Sequence, residues 1–199
     1  MRRILALTCL SFLAAPAHAN GTIIVSPVYG QLVALPVPAD FKPGYEAAKD
    51  GSYLLELTPA TETVQNWTQM ITLSGAEGLA GKMAVVDVAS QLAKGYQAAC
   101  PKTFAARSLP APKVKGAAEV FAGYLGCGDA GGQSEAMVFL IIRGAEDIYT
   151  VQWAEHGPAQ SKAMEPEPAL WRPRADSLAL TRICDKVAGE QAPYPSCTQ

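Results

Sequence analysis

The sequence predicts an α+β fold, in which an antiparallel sheet (a meander) is packed by one long helix and a C-terminal helix and carries two disulfides. Three observations predict it. Several short segments alternate apolar and polar residues, one long segment has helical periodicity, and four cysteines follow a predicted export signal. The chain has 199 residues, of which 49% are hydrophobic, so a sizeable core is expected. Its net charge of −2 argues against binding to nucleic acid.

Residues 1–19 have the three parts of a bacterial signal peptide. A basic start precedes an apolar run over residues 4–15, and Ala17 and Ala19 supply the small side chains that signal peptidase requires. We expect cleavage after Ala19, which leaves residues 20–199 as a single α+β domain in the periplasm or secreted from the cell. The apolar run is too short to cross a bilayer, so we expect no membrane anchor after cleavage.

The N-terminal half is predicted to form short strands. Residues 22–25 and 31–37 are β-branched or apolar runs separated by a proline and a glycine, which favours a hairpin. Residues 40–51 contain a proline and two glycines and are predicted to be a connection. The alternation at residues 52–57 and 67–74 predicts two further strands.

Residues 82–99 form the clearest predicted helix. Apolar side chains recur at spacings of three and four and form one stripe, which contains Met83, Val85, Val86, Ala89, Leu92, Ala93, Tyr96, Ala99 and Cys100. Pro101 ends the helix, because proline cannot continue it. We expect this stripe to face the core.

The C-terminal half is predicted to be a meander followed by a helix. Its strands are expected at residues 104–109, 118–127, 136–142 and 148–154. The third of these is almost wholly apolar, which predicts a central strand that is covered on both faces. Residues 157–173 hold four prolines and are predicted to be loop, and Asp176 or Ser177 then caps a helix that runs to about Val187.

Four cysteines lie beyond the predicted signal, at Cys100, Cys127, Cys184 and Cys197. An even number in an exported chain predicts two disulfides, and four cysteines allow three pairings. We predict Cys100–Cys127, because a helix end and a strand end can meet at one edge of the interface between helix and sheet. We predict Cys184–Cys197, because the proline-containing tail can fold back along the helix expected at Cys184.

A central segment resembles a known group of proteins. The residues are Tyr53-Leu-Leu-Glu-Leu-Thr-Pro59, followed by Glu62-Thr-Val-Gln-Asn-Trp-Thr-Gln-Met-Ile-Thr72. They are similar to uncharacterised exported bacterial proteins with an E-T-x-x-N-W-T-x-M-I-T segment, in which cysteines follow as Cys100, Cys127 and Cys184 do here. The layout is also similar to the Mog1/PsbP-like α+β sandwich. The resemblance implies a fold and an exported location, and it implies no activity.

No motif selects a catalytic centre. One histidine and four paired cysteines beyond the signal cannot assemble a zinc site, so we expect no metal and no cofactor. The weak surface or site candidates are Glu62, Trp67 and His156. A carboxylate such as Glu62 beside a tryptophan such as Trp67 suits a sugar-binding site. The alternative is that Glu62 is a turn residue and Trp67 is a core residue. His156 is the only candidate imidazole base, and the alternative is a surface histidine.

The sequence therefore favours a non-catalytic binding or accessory module that recognises an unknown protein or a small ligand. The alternative is a carboxylate-based hydrolase or a carbohydrate-binding protein. Two carboxylates about 5–10 Å apart in a pocket with aromatic walls would favour the alternative. A flat apolar patch would instead favour a protein partner.

Overall fold

A computed structural model describes residues 21–198, and the predicted signal peptide at residues 1–19 lies outside the described residues. The elements, in chain order, are β1 (Thr22–Val28), β2 (Gln31–Val37), β3 (Phe41–Lys49), β4 (Ser52–Pro59), β5 (Gln69–Ala76), α1 (Val85–Ala99), β6 (Phe104–Leu109), β7 (Glu119–Cys127), β8 (Gln133–Arg143), β9 (Ile148–Pro158), α2 (Pro168–Leu178), β10 (Arg182–Asp185) and α3 (Pro195–Thr198). None of the helices in this range is both long enough and apolar enough to span a bilayer.

The strands form two antiparallel sheets, so the predicted α+β class is confirmed. The large sheet has seven strands in the order β3-β4-β5-β9-β8-β7-β6, and the small sheet has the order β1-β2-β10. The main core lies between the two sheets, where Leu35 of β2 packs with Leu73 of β5. A second core lies on the opposite face of the large sheet, where Ala89 of α1 packs with Phe139 of β8.

Strand β8 is buried along most of its length, as its apolar run predicts. Val138 and Leu140 belong to the core between the sheets, whereas Met137 and Phe139 belong to the core under α1. Successive side chains of a strand point to opposite faces, so each face of β8 meets a covering layer. Most of the stripe predicted on α1 faces the second core, with Val85 and Ala89 buried and Leu92, Ala93 and Tyr96 packed against it, whereas Val86 and Ala99 are exposed.

The predicted connection at residues 40–51 is wrong, because residues 41–49 form β3 at the edge of the large sheet. Its register with β4 shifts between Pro43 and Tyr45, so the proline lies at a β-bulge on an edge strand, where it is tolerated. Asp50 and Gly51 both have positive φ, at 50° and 73°. They form the two-residue turn that joins β3 to β4.

The predicted loop at residues 157–173 and the predicted helix from Asp176 to about Val187 are also wrong in part. Helix α2 begins at Pro168, since proline is well suited to the first turn, and it ends at Leu178. Residues 182–185 form β10 because they pair with β2, and the N–H of Ile183 also donates to the carbonyl of Lys115 at 2.9 Å.

Both expected disulfides form. Cys100–Cys127 joins the residue after α1 to the last residue of β7. Cys184–Cys197 joins β10 to α3, so the second bond starts from a strand and not from the predicted helix. Cys197, Leu32 and Ala34 form a small cluster that covers the outer face of the small sheet.

Candidate functional site

The structure brings two of the three sequence candidates into direct contact. The rings of Trp67 and His156 are stacked, with centroids 3.5 Å apart and an angle of 19° between their planes. The backbone N–H of His156 donates to the carbonyl of Thr68 at 2.9 Å, which extends the pairing of β9 with β5 by one step. Both candidates therefore lie at one end of the large sheet.

Glu62 reaches this pair through Thr68, the residue after Trp67. Its carboxylate accepts hydrogen bonds from the N–H and the hydroxyl of Thr68, each at 2.6 Å. These bonds, the side-chain bond first, lower the pKa of Glu62 because they favour its ionised form. The carboxylate therefore fixes the loop that carries Trp67.

Two residues that the sequence analysis missed complete the cluster. Nε2 of His156 lies 2.8 Å from Oε2 of Glu135, and the hydroxyl of Tyr96 on α1 donates to Oε1 of the same carboxylate. Burial and the nearby Glu135 raise the pKa of Tyr96 well above its usual value. Glu135 was predictable in principle, because a hairpin centred on residues 144–147 places it opposite His156.

The cluster of Trp67, Tyr96, Glu135 and His156 is best explained as a structural network. The imidazole nitrogen and the phenol each hydrogen-bond to one oxygen of the carboxylate, and the indole is stacked on the imidazole. Glu135 is also paired in register with Cys127, so the disulfide and the network hold the same end of α1 against the sheet. Mutual hydrogen bonding of this kind fixes a single packing arrangement.

The opposite face of the same sheet end carries a cleft of about 400 Å³, which we name the Trp171 cleft. Its floor comes from β7, β8 and β9, and it is bordered by the segment before α2 and by α2 itself. The side chains that matter for its chemistry are Tyr124, Ser134, Glu155, Met164, Glu165, Glu167 and Trp171. The hydroxyl of Tyr124 donates to the carbonyl of Met164 at 2.7 Å, which fixes the segment before α2 across the cleft.

Arg174 of α2 organises one wall of the Trp171 cleft. Its guanidinium forms an ion pair with Glu155, and the two side chains are 15% and 22% exposed. The same guanidinium lies 5.6 Å from the ring centroid of Trp153 and 5.2 Å from that of Trp171. Arg174 therefore compensates the charge of Glu155 and positions both indoles through cation–π contacts.

A second cavity of about 460 Å³, which we name the Pro166 cavity, adjoins the cleft at Trp171. Most of its lining is apolar, from Leu109, Pro110, Val138, Pro166, Pro168 and Ala175. Arg172 and Asp176 of α2 supply its charged groups. One indole thus forms a common wall between a polar cleft and an apolar cavity.

Neither cavity was predicted from the sequence. Much of their lining comes from residues 157–173, which were predicted to be loop. The useful clue is the placement of Met164 and Trp171, two large apolar residues, among four prolines and several charges. In the described part of the chain, no three His, Cys, Asp or Glu side chains are grouped so that they could hold a metal ion.

No family model matches the chain, and no curated protein sequence matches it. Among solved structures, the chain is similar to LpqN, a protein described as involved in cell envelope biogenesis of Mycobacterium tuberculosis. The identity is 14%, the match covers 84% of this chain and 92% of LpqN, and the TM-score is 0.42.

Proposed function

We propose that this protein is an exported, non-catalytic binding module that acts in the periplasm or after secretion and holds a small ligand in the Trp171 cleft. The observation that carries the proposal is the cleft itself. It has a volume of about 400 Å³, its walls include Tyr124 and Trp171, and a few polar groups converge on it. Concave sites of this size are typical of small-ligand binding.

An exported location is supported by the tripartite leader at residues 1–19 and by the two disulfides. Disulfides persist in oxidising compartments and are rare in the cytosol.

A non-catalytic role is supported by the carboxylates of the cleft. Glu155 is paired with Arg174, and Glu165 is paired with Arg107 at 2.6 Å. Each ion pair engages Oε1 of its glutamate and so holds that carboxylate in a fixed position. This arrangement suits a group that holds a ligand better than one that reacts with it.

A carboxylate-based hydrolase is the second candidate, because Glu155, Glu165 and Glu167 all line a cleft with aromatic walls. It requires turnover of a bound glycoside, whereas a binding module returns its ligand unchanged. The chemical identity of the released compound therefore separates the two candidates.

The test is capture of small molecules from an envelope extract by the mature protein, followed by washing, denaturation and mass spectrometry. Ala163→Trp fills the cleft, because Ala163 is exposed and lines it. Ala159→Trp is the matched control, because Ala159 is also exposed and precedes the same segment. We expect wild type and Ala159→Trp to release the same compound and Ala163→Trp to release none. Equal release from all three proteins would contradict binding in the cleft.

A further inference from the structure

The two adjoining cavities differ in the kind of surface that they offer to a ligand. The Pro166 cavity is walled by Leu109, Val138 and prolines, so it favours an apolar group that leaves water. The Trp171 cleft offers carboxylates and a hydroxyl beside aromatic rings. A molecule that occupies both cavities therefore needs an apolar part and a polar part. The two parts meet beside Trp171, which lines both cavities.

The charges around the cleft select the sign of the polar part. Glu155, Glu165 and Glu167 line it, and no lysine or arginine is among its lining residues within the described range 21–198. Arg174 compensates the charge of Glu155, and Arg107 compensates that of Glu165, although neither arginine lines the cleft. The third carboxylate, on Glu167, is therefore left to set the charge of the cleft.

Glu167 is exposed at the residue that caps α2, and its side chain makes no capping hydrogen bond there. The first turn of α2 contributes about half a positive charge, which is less than the charge of the carboxylate. Among the residues that line the cleft, one negative charge therefore remains uncompensated, which favours a cation over an anion.

We infer that the ligand is an amphiphile with one positive charge, whose apolar chain occupies the Pro166 cavity and whose cationic head lies beside Glu167. This inference rests on the proposed function, since it takes the Trp171 cleft as the ligand site.

The test compares three probes that share an octyl chain, each kept below its micelle concentration: octyltrimethylammonium, octyl sulfate and octyl glucoside. A fourth probe, tetramethylammonium, has the head without the chain. Binding to the mature protein is measured by isothermal titration calorimetry. We expect octyltrimethylammonium to bind at least about tenfold more tightly than each of the other three, because only it satisfies both cavities.

Two variants locate the probe. Glu167→Gln removes the uncompensated charge and is expected to weaken binding of octyltrimethylammonium about threefold, a surface electrostatic effect that added salt reduces in the wild type. Glu146→Gln is the control, because Glu146 is also an exposed glutamate and lies on the β8–β9 turn. Ala163→Trp is expected to abolish binding of the probe.

The outcomes separate this inference from the proposed function. If octyl sulfate or octyl glucoside binds as tightly as the cationic probe while Ala163→Trp still blocks binding, the assigned charge is wrong and the cleft remains the site. If tetramethylammonium binds as tightly as octyltrimethylammonium, the role of the Pro166 cavity is overturned. If Ala163→Trp changes neither probe binding nor capture from the extract, the proposed function fails as well.

Discussion

The carboxylate of Glu62 illustrates how a single half-buried residue can order a loop. Its two hydrogen bonds from Thr68 hold its pKa below the usual value of 4.5. Since the folded-state pKa lies below the unfolded one, these bonds stabilise the fold at pH values above the unfolded pKa. That stability is lost as the pH falls through the lowered pKa of the folded state.

We predict that Glu62→Gln lowers the melting temperature by about 1–2 °C at pH 7, a modest effect because water screens an exposed carboxylate. At an acid pH below the lowered pKa, the wild-type carboxylate is itself protonated, so the difference between the two proteins should narrow. Melting followed by circular dichroism at both pH values measures this, with Glu146→Gln as the control. A difference that is equal at the two pH values would contradict the role of the ionised form.

Residue type alone identified Trp67 and His156, but not the groups that contact them. Tyr96 appeared only as one member of an apolar helical stripe, and its bond to Glu135 depends on how α1 lies across the sheet. The Trp171 cleft was even harder to predict from the sequence. Tyr124, Glu155 and Trp171 come from three separate elements, so no local pattern could bring them together.

At the level of elements, β-branched runs and apolar–polar alternation predicted β1, β2 and β4 to β9. The prediction failed at β3, where Pro43 and Gly44 suggested a connection although an edge strand tolerates them at a bulge. It failed again at β10, whose four residues are strand because β2 lies alongside. In both cases a partner strand, and not the local sequence, determines the conformation.

The two disulfides are expected to contribute unequally. Cys100–Cys127 closes a sequence separation of 27 residues, and both of its cysteines are almost fully buried. Cys184–Cys197 closes a separation of 13 residues and holds the C-terminal tail on the small sheet. The longer loop restricts the unfolded chain more strongly.

We predict that the double variant Cys100→Ala/Cys127→Ala lowers the free energy of unfolding by about 4 kcal/mol and that Cys184→Ala/Cys197→Ala lowers it by about 3 kcal/mol or less. Urea unfolding followed by circular dichroism measures both, and each double variant serves as the control for the other. A larger loss from the second pair would show that the tail contributes more than the attachment of α1.

Across the whole molecule, one buried carboxylate links parts that are distant in sequence. Asp147 is 2% exposed and accepts the N–H of Gly78 at 2.8 Å and that of Gly30 at 3.4 Å. It also accepts the hydroxyl of Tyr149 at 3.3 Å. Gly30 lies in the β1–β2 turn and Gly78 in the connection from β5 to α1, so Asp147 joins the small sheet to the large one.

We predict that Asp147→Ala lowers the free energy of unfolding by about 2–4 kcal/mol, because it leaves two or three part-buried or buried donors without an acceptor. The control is Asp40→Ala, since Asp40 is an exposed carboxylate in the turn before β3. Urea unfolding curves for both variants give the comparison. A loss from Asp147→Ala that is no greater than the loss from Asp40→Ala would contradict this role.

The bulge at Pro43 also bears on how the molecule behaves among many copies of itself. An edge strand normally offers a ladder of unpaired N–H and C=O groups on which another chain can polymerise. On β3 that ladder lacks the N–H of Pro43, and its register shifts by one residue before Tyr45. A second copy that paired with this edge would lose its pairing within a few residues, so the edge resists fibril growth.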